Sequence, residues 1–217
     1  MASKIIVDQV QKSGGTAFTL PTSDGSNKSA VITDGSGALS FATGTPSASN
    51  YLRGDGTWNA PAGGLTDASQ WRLAGTITGD HIPITGTWEE SDTYGYGRLG
   101  SAMVEASGVF TFPSTGYWLV VFCGSMDGEP GGASQHQYRI DTTIDNATYN
   151  AVSSAFAEAQ STHRQSGTAF HLFDVTSTTD CKVRFSVDIT SGGTSNETLG
   201  STTENLTYAT FVKLADT

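Results

Sequence analysis

The 217-residue chain contains 26 Gly, 25 Ser and 31 Thr, only 15% charged residues and a formal net charge of −10. This composition favours short strands joined by tight turns over helices, so we expect an all-β protein. The acidic excess lies after residue 64, and it disfavours nucleic acid or anionic lipid as a partner. No apolar run is long enough to span a bilayer and no secretory signal opens the sequence, so we also expect no membrane insertion.

Residues 1–64 contain short apolar fragments separated by turn signals. Val31-Ile32 is one such fragment, and the turn signals include Asp34-Gly35 and Asp55-Gly56, where glycine supplies the positive φ of a tight hairpin. We therefore predict small β-hairpins. A segment this short buries little apolar surface, so we expect it to become ordered on other chains or on a docking surface.

A second segment of different character begins near residue 70. Pro61, Gly63 and Gly64 indicate a linker, which we extend over residues 65–69. Beyond it, apolar residues with period-two spacing predict strands that each have one buried face. These residues are Ala169, His171, Phe173 and Val175; Val183, Phe185, Val187 and Ile189; and Tyr208, Thr210, Val212 and Leu214. We predict an antiparallel jelly-roll β-sandwich over 70–217.

Residues 152–160 are the one stretch of this segment that allows a helix as well as a strand. We interpret them as a strand with a face of small residues. That face consists of Ala151, Ser153, Ala155 and Ala157.

The stretch Tyr117–Cys123 is apolar on both faces. Trp118, Val120 and Phe122 share one side of a strand, and Tyr117, Leu119 and Val121 share the other. Such a strand needs two covers, and the second is either a neighbouring subunit or a loop of the same chain. Trp118, Val120 and Phe122 are our candidates for the core or a trimer interface.

The sequence lacks the motifs of nucleophilic, phosphate-binding and zinc chemistry, so we predict a non-enzymatic protein without cofactor or metal. His171 is expected to be a hydrogen-bonded structural histidine. Glu89, Glu90 and Asp92 form an acidic cluster that is either solvated surface charge or a cation site.

The two cysteines, Cys123 and Cys181, have no metal-ligand or redox spacing. We expect them to be buried free thiols of a chain made in a reducing compartment, and a disulfide between them is the alternative.

The series from Ser107 to Phe122 resembles a hairpin of the complement and tumour-necrosis-factor jelly-roll superfamily. A Gly-x-Phe strand reaches Pro113, turns at Gly116 and returns through an aromatic-rich strand. Residues 166–172, 180–185 and 207–214 resemble later strands of that family in the same order. The resemblance implies a compact homotrimer. The family's usual Gly-Asp is replaced around Asp180, so no ligand site is carried over.

The N-terminal segment resembles the shafts and attachment regions of phage tail and head fibres. The matching stretches are 4–10, 31–41 and 51–58, the last reading Tyr-Leu-Arg-Gly-Asp-Gly-Thr-Trp. The resemblance implies a homotrimeric virion fibre, with a tail fibre favoured, assembled in the host cytoplasm. Residues 1–64 would trimerise and bind another virion protein, and the head would face the host.

Two polar, glycine-rich loops, 124–134 and 191–200, are candidates for contact with a host surface glycan or protein. The residues singled out there are Asp127, Glu129, Thr194, Asn196 and Glu197. The loops are equally compatible with inert connections. A decoration protein without receptor binding is therefore one alternative. A polysaccharide-degrading fibre is another, and it would need two carboxylates about 5–9.5 Å apart.

Overall fold

The structure is a computed structural model that describes residues 9–11, 17–19, 30–33, 39–44, 47, 49–59, 64–86, 88–127, 133–160, 163–190 and 196–217. The chain forms two compact units, Met1–Gly64 and Leu65–Thr217. Within the residues described, β-strands are the only regular elements, as the composition predicted. None of these segments forms a helix long and apolar enough to cross a bilayer.

The described residues of the first unit include three antiparallel strand pairs, which agrees with the predicted hairpins. Its strands are β1 (Gln9–Gln11), β2 (Ala17–Thr19), β3 (Val31–Thr33), β4 (Leu39–Phe41), β5 (Tyr51–Leu52) and β6 (Trp58–Asn59). In the last hairpin Gly56 has a φ of +80°. Asp55 accepts hydrogen bonds from the backbone nitrogen and hydroxyl of Thr57 at 3.0 and 2.7 Å. These bonds lower the pKa of the Asp55 carboxyl and fix the turn.

The second unit is an antiparallel jelly-roll β-sandwich, as predicted. Its strands are β7 (Ala68–Leu73), β8 (Ile77–Thr78), β9 (Trp88–Glu90), β10 (Val104–Ala106), β11 (Val109–Thr111), β12 (Gly116–Met126), β13 (Ala133–Thr143), β14 (Asn150–Gln160), β15 (Gln165–Val175), β16 (Lys182–Thr190), β17 (Glu197–Thr198) and β18 (Tyr208–Ala215). One sheet has the order β10-β11-β16-β13-β14. The other has the order β8-β17-β12-β18-β7-β9, and β15 also pairs with β12.

Aromatic side chains fill the space between the two sheets. The Phe110 ring lies at their centre, with centroids 5.3–5.5 Å from the rings of Trp71, Trp88, Phe185 and Phe211. These rings meet mostly edge to face or tilted, which is the favourable arrangement for their quadrupoles. The predicted buried side of β16 is confirmed, because Val183, Phe185 and Val187 are fully buried in this core.

The structure corrects three boundaries and one face. Ala68 and Ser69, which we expected in the linker, belong to β7 and pair with β18. Gly124–Met126 belong to β12, and 197–198 form β17, so both candidate loops are shorter than predicted. In β18 the fully buried apolar side chains are Ala209 and Phe211, whereas Thr210 and Val212 face outward.

Gly124 explains why loop 124–134 is shorter than the sequence predicts. A Cβ at this position would overlap the ring of Tyr138, which lies directly against the glycine backbone. The glycine therefore permits close packing inside a strand rather than a turn. The ambiguous segment 152–160 lies within strand β14, which confirms the strand interpretation, and Ala157 of its small-residue face is buried.

Replacing Phe110 by alanine is expected to destabilise the second unit by about 3–5 kcal/mol, because the substitution leaves a cavity at the centre of the aromatic core. Urea unfolding at a fixed protein concentration measures the change. Ile144→Ala is the control, since Ile144 is 74% exposed and its truncation is expected to change stability by less than about 0.5 kcal/mol. Equal effects of the two substitutions would contradict the assignment of the core.

Candidate functional site

The seven-stranded sheet has an apolar outer side, which we call the outer apolar face. It consists of Tyr117, Leu119, Val121, Phe170, Leu172 and Val212. Phe170 is 69%, Leu172 56% and Tyr117 40% exposed. Single exposed apolar residues are ordinary, but a contiguous group on adjacent strands is typical of an interaction surface.

Strand register makes this face continuous. Leu119 lies opposite Leu172 of β15 on one side and Val212 of β18 on the other. Val121 lies opposite Phe170 and Thr210 in the neighbouring row. Directly opposed side chains of adjacent strands are in contact range, so the two rows form one surface.

An additional exposed aromatic residue, Phe156, lies on the neighbouring strand β14. Strand β14 packs beside β15, where an added Cβ at Gly167 would approach Cβ of Ala155 at 3.2 Å. Phe156 is 59% exposed. The sequence pattern did not indicate Phe156, because the small residues of the opposite parity predict only which side of this strand is packed.

The predicted core or interface residues Trp118, Val120 and Phe122 all lie in the core, at 0–1% exposure. They face the five-stranded sheet, so a loop is not what covers them. The side of β12 that is available to a partner carries Leu119 and Val121 instead.

The described residues that flank the two candidate loops lie at one end of the sandwich, which we call the loop end. Asp127 directly follows β12, and its Oδ2 lies 3.4 Å from Nε of Arg164, which precedes β15. Backbone oxygen of Asn196 accepts a hydrogen bond from Gly79, and Glu197 pairs with Thr78. Glu129 and Thr194 lie outside the described residues. Asp127, Asn196 and Glu197 are thus brought to the same end by different strands.

The chain enters the sandwich at the opposite end, which we call the entry end. Backbone nitrogen of Lys213 donates to the oxygen of Asp67, and Ala68 pairs with Val212. Gly116, the first residue of β12, lies at this end opposite Val175. The ten residue steps from there to Met126 correspond to about 33 Å of extended strand.

The acidic cluster is paired with arginines. Arg72, 1% exposed, donates to Glu89 at 2.7 Å, to Asp92 at 2.5 Å and to the Thr93 hydroxyl at 2.9 Å. Burial opposes the charge on Arg72, but its bonds to the two carboxylates outweigh that effect and raise the pKa of the guanidinium. Glu90 is paired with Arg98 at 3.0 Å.

Arg72 and Arg98 thus supply counter-charges to this cluster, which the sequence did not indicate. Among the described residues no group of His, Cys, Asp and Glu has the arrangement of a metal site. Both cysteines are free and buried. His171 is half-buried, its ring centroid is 5.9 Å from that of Phe173, and burial lowers the pKa of its imidazole.

His136 is a fully buried histidine near the loop end. Its Nδ1 lies 3.3 Å from the Tyr138 hydroxyl and 3.4 Å from the Thr198 hydroxyl, and its buried Nε2 has no hydrogen-bond partner. Burial lowers the pKa of His136 to about 4, although Asp80 partly opposes this effect. The imidazole is therefore neutral at pH 7.

Solved structures of the tumour-necrosis-factor and complement type resemble the sandwich. Eiger TNF from S. frugiperda shares 14% identity at a TM-score of 0.50, over 71% of this chain and 95% of its own. Murine APRIL shares 10% identity at a TM-score of 0.49, over 68% and 98%, and the globular domain of zebrafish complement 1qA shares 14% at 0.45, over 69% and 96%. No protein-family model and no curated protein matches the sequence. At these identities the likeness to Eiger shows the jelly-roll fold alone.

The buried neutral His136 predicts a loss of stability in mild acid. The unfolded chain binds a proton near pH 6.5 and the folded chain only near pH 4, so stability is complete above the first value and falls across this window. Between pH 7 and 5 the His136 contribution to the free energy of unfolding should fall by about 2 kcal/mol.

Urea unfolding at pH 7, 6 and 5 measures this loss, with His136→Gln as the test variant. His171→Gln is the comparison variant: His171 is only half-buried, so its removal is expected to flatten the pH dependence less than removal of His136 does. The His136 variant is expected to have a flatter pH dependence than the unmodified protein. An unchanged dependence would refute the assignment to His136.

Proposed function

We propose that this protein is the subunit of a homotrimeric, non-enzymatic fibre or spike of a phage particle. In this proposal residues 1–64 bind another virion protein and trimerise, and the sandwich is a head that contacts the host surface. The outer apolar face is the observation that best supports a trimer. The resemblance of stretches 4–10, 31–41 and 51–58 to phage fibres motivates the virion role.

A second copy of the chain is the occupant that fits the outer apolar face best. The face is built on the central strand β12, and its rows run across β15, β12 and β18. Three copies around one axis would cover this side of every sheet by closed symmetry, leaving no open surface for further addition. The jelly-roll superfamily that the sequence resembles also forms compact trimers.

The positions of the two ends of the sandwich support host contact at the loop end. The chain enters at Asp67–Ala68, and the loops around Asp127 and Asn196 lie at the other end of the strands. A head attached through residues 1–64 would therefore present these loops away from the particle. Such contacts do not need to be strong, because three heads in a trimer and several trimers on a particle gain about 10²- to 10⁴-fold in avidity.

Placing a charge on the outer apolar face is expected to dissociate the trimer. Leu172→Asp puts a carboxylate in the middle of the face, where it would be desolvated without a partner. We expect the sedimentation coefficient at micromolar concentration to fall from that of a trimer to that of a monomer. Val104→Asp is the matched control, since Val104 is 62% exposed but lies on the five-stranded sheet. A trimeric Leu172→Asp protein would exclude this face as the contact.

Reversing charges at the loop end is expected to weaken host adsorption. Particles carrying Asp127→Lys together with Glu197→Lys should adsorb to host cells several-fold more slowly, because charge complementarity affects mainly the rate of association. Asp216→Asn at the entry end serves as control, since this side chain is 88% exposed and its amide oxygen can still accept a hydrogen bond from the buried Lys213. Unchanged adsorption of the double variant would favour a decoration protein over a receptor-binding one.

A further inference from the structure

A pocket of about 330 Å³ lies beside β7, where the outer side of the sheet becomes polar. Gln70 and Ser91 line its inner part, and the loop segments 93–96 and 203–205 line its walls. In strand register Gln70 pairs with Thr210, which in turn lies opposite Val121 of the outer apolar face. This row of cross-strand neighbours is polar at Gln70, where the pocket lies, and apolar at its other end.

Hydrogen bonds among the lining side chains hold their polar atoms in fixed positions. Asn205 donates through Nδ2 to Gln70 Oε1 at 2.5 Å, and its Oδ1 accepts from Ser91 at 3.2 Å. Gln70 donates through Nε2 to Thr210 at 2.8 Å. Each of these amides has two N–H donors and an oxygen with two lone pairs, so each keeps hydrogen-bonding capacity for a ligand. Because these side chains are already held in place, little conformational entropy would be lost when a ligand binds here.

The Arg72 ion pairs fix one wall of the pocket. Arg72 holds Asp92 and the Thr93 hydroxyl, and that hydroxyl donates to the backbone oxygen of Thr203 at 3.3 Å. The Tyr96 hydroxyl accepts from the backbone nitrogen of Gln70 and donates to Glu90 at 3.0 Å. Through Thr93, the buried arginine is thus connected to both loop segments that line the pocket.

Tyr94 is a fully exposed aromatic residue on the pocket wall. It is 99% exposed and has a φ of +46°, a backbone conformation that side chains other than glycine rarely adopt. A backbone N–H of Tyr96 bonding to Thr93 at 3.2 Å closes this turn. Packing does not explain this backbone conformation, because the Tyr94 ring is wholly open to solvent. Strained backbone of this kind is typical of functional positions.

We infer that this pocket binds one residue of a neutral carbohydrate, with the Tyr94 ring stacked on the sugar and the Gln70 and Asn205 amides bonded to its hydroxyl groups. Amide and hydroxyl side chains beside an open aromatic ring suit a ligand that has both hydroxyl groups and an apolar C–H face. Arg72 is occupied by carboxylates, and Glu204 adds a negative charge to the wall, so anionic sugars are disfavoured. This site is separate from the loop end and goes beyond the proposed function.

Ligand-observed saturation-transfer NMR on the full chain tests the inference. The probes are the methyl glycosides of glucose, galactose, mannose and N-acetylglucosamine, and the acidic sugar N-acetylneuraminic acid, each at millimolar concentration. We expect saturation transfer to at least one neutral glycoside and none to the acidic sugar. Tyr94→Ala should weaken that binding about tenfold, as loss of one aromatic contact predicts.

Two variants separate stacking from a general loss of structure. Tyr94→Phe keeps the ring and should bind as the unmodified protein does. Tyr51→Ala removes an exposed tyrosine of the first unit and should also leave binding unchanged. The inference is overturned if no neutral glycoside binds, as would happen if a neighbouring subunit filled the pocket, or if Tyr94→Ala binds normally. Sugar binding by a monomeric protein would refute the proposed trimer and leave this inference standing.

Discussion

Strand β12 is apolar on both sides, so it requires two covers. Its inner side, with Trp118 and Phe122, packs into the aromatic core around Phe110. Its outer side joins Leu119 to Leu172 in a face that the second unit does not cover. Fully burying one such side chain is worth about 1.5–3 kcal/mol. The apolar side chains left exposed on this outer side are the physical reason for the subunit contact that we propose.

Much of the fold could be predicted from the sequence, because period-two spacing and Asp-Gly turns act locally. The buried face of β18 could not, since both of its parities carry apolar residues and only the partner sheet selects Phe211 for the core. The Arg72 ion pairs were also hidden, because their carboxylates lie 17 and 20 residues away and meet the arginine only when β7 pairs with β9. The pocket at Gln70 and Asn205 joins positions 135 residues apart, so no local pattern indicated it.

The proposed roles occupy different parts of one sandwich. The entry end connects to residues 1–64, the loop end carries Asp127 and Asn196, and the outer side of the sheet grades from an apolar region on β15 to a polar pocket beside β7. This separation would let subunit contact, host contact and sugar binding operate without competing for the same residues. Weak sites would then act together through multivalency.

Sedimentation equilibrium of the unmodified full chain at low micromolar concentration tests the central claim most directly. The account predicts one species with three times the 22.6 kDa mass of the chain. It also predicts that this mass persists when the salt concentration is raised, because the contact buries an apolar face and salt screens only interactions between charges. A stable, soluble species of 22.6 kDa would contradict the account, since the outer apolar face would then remain open to water.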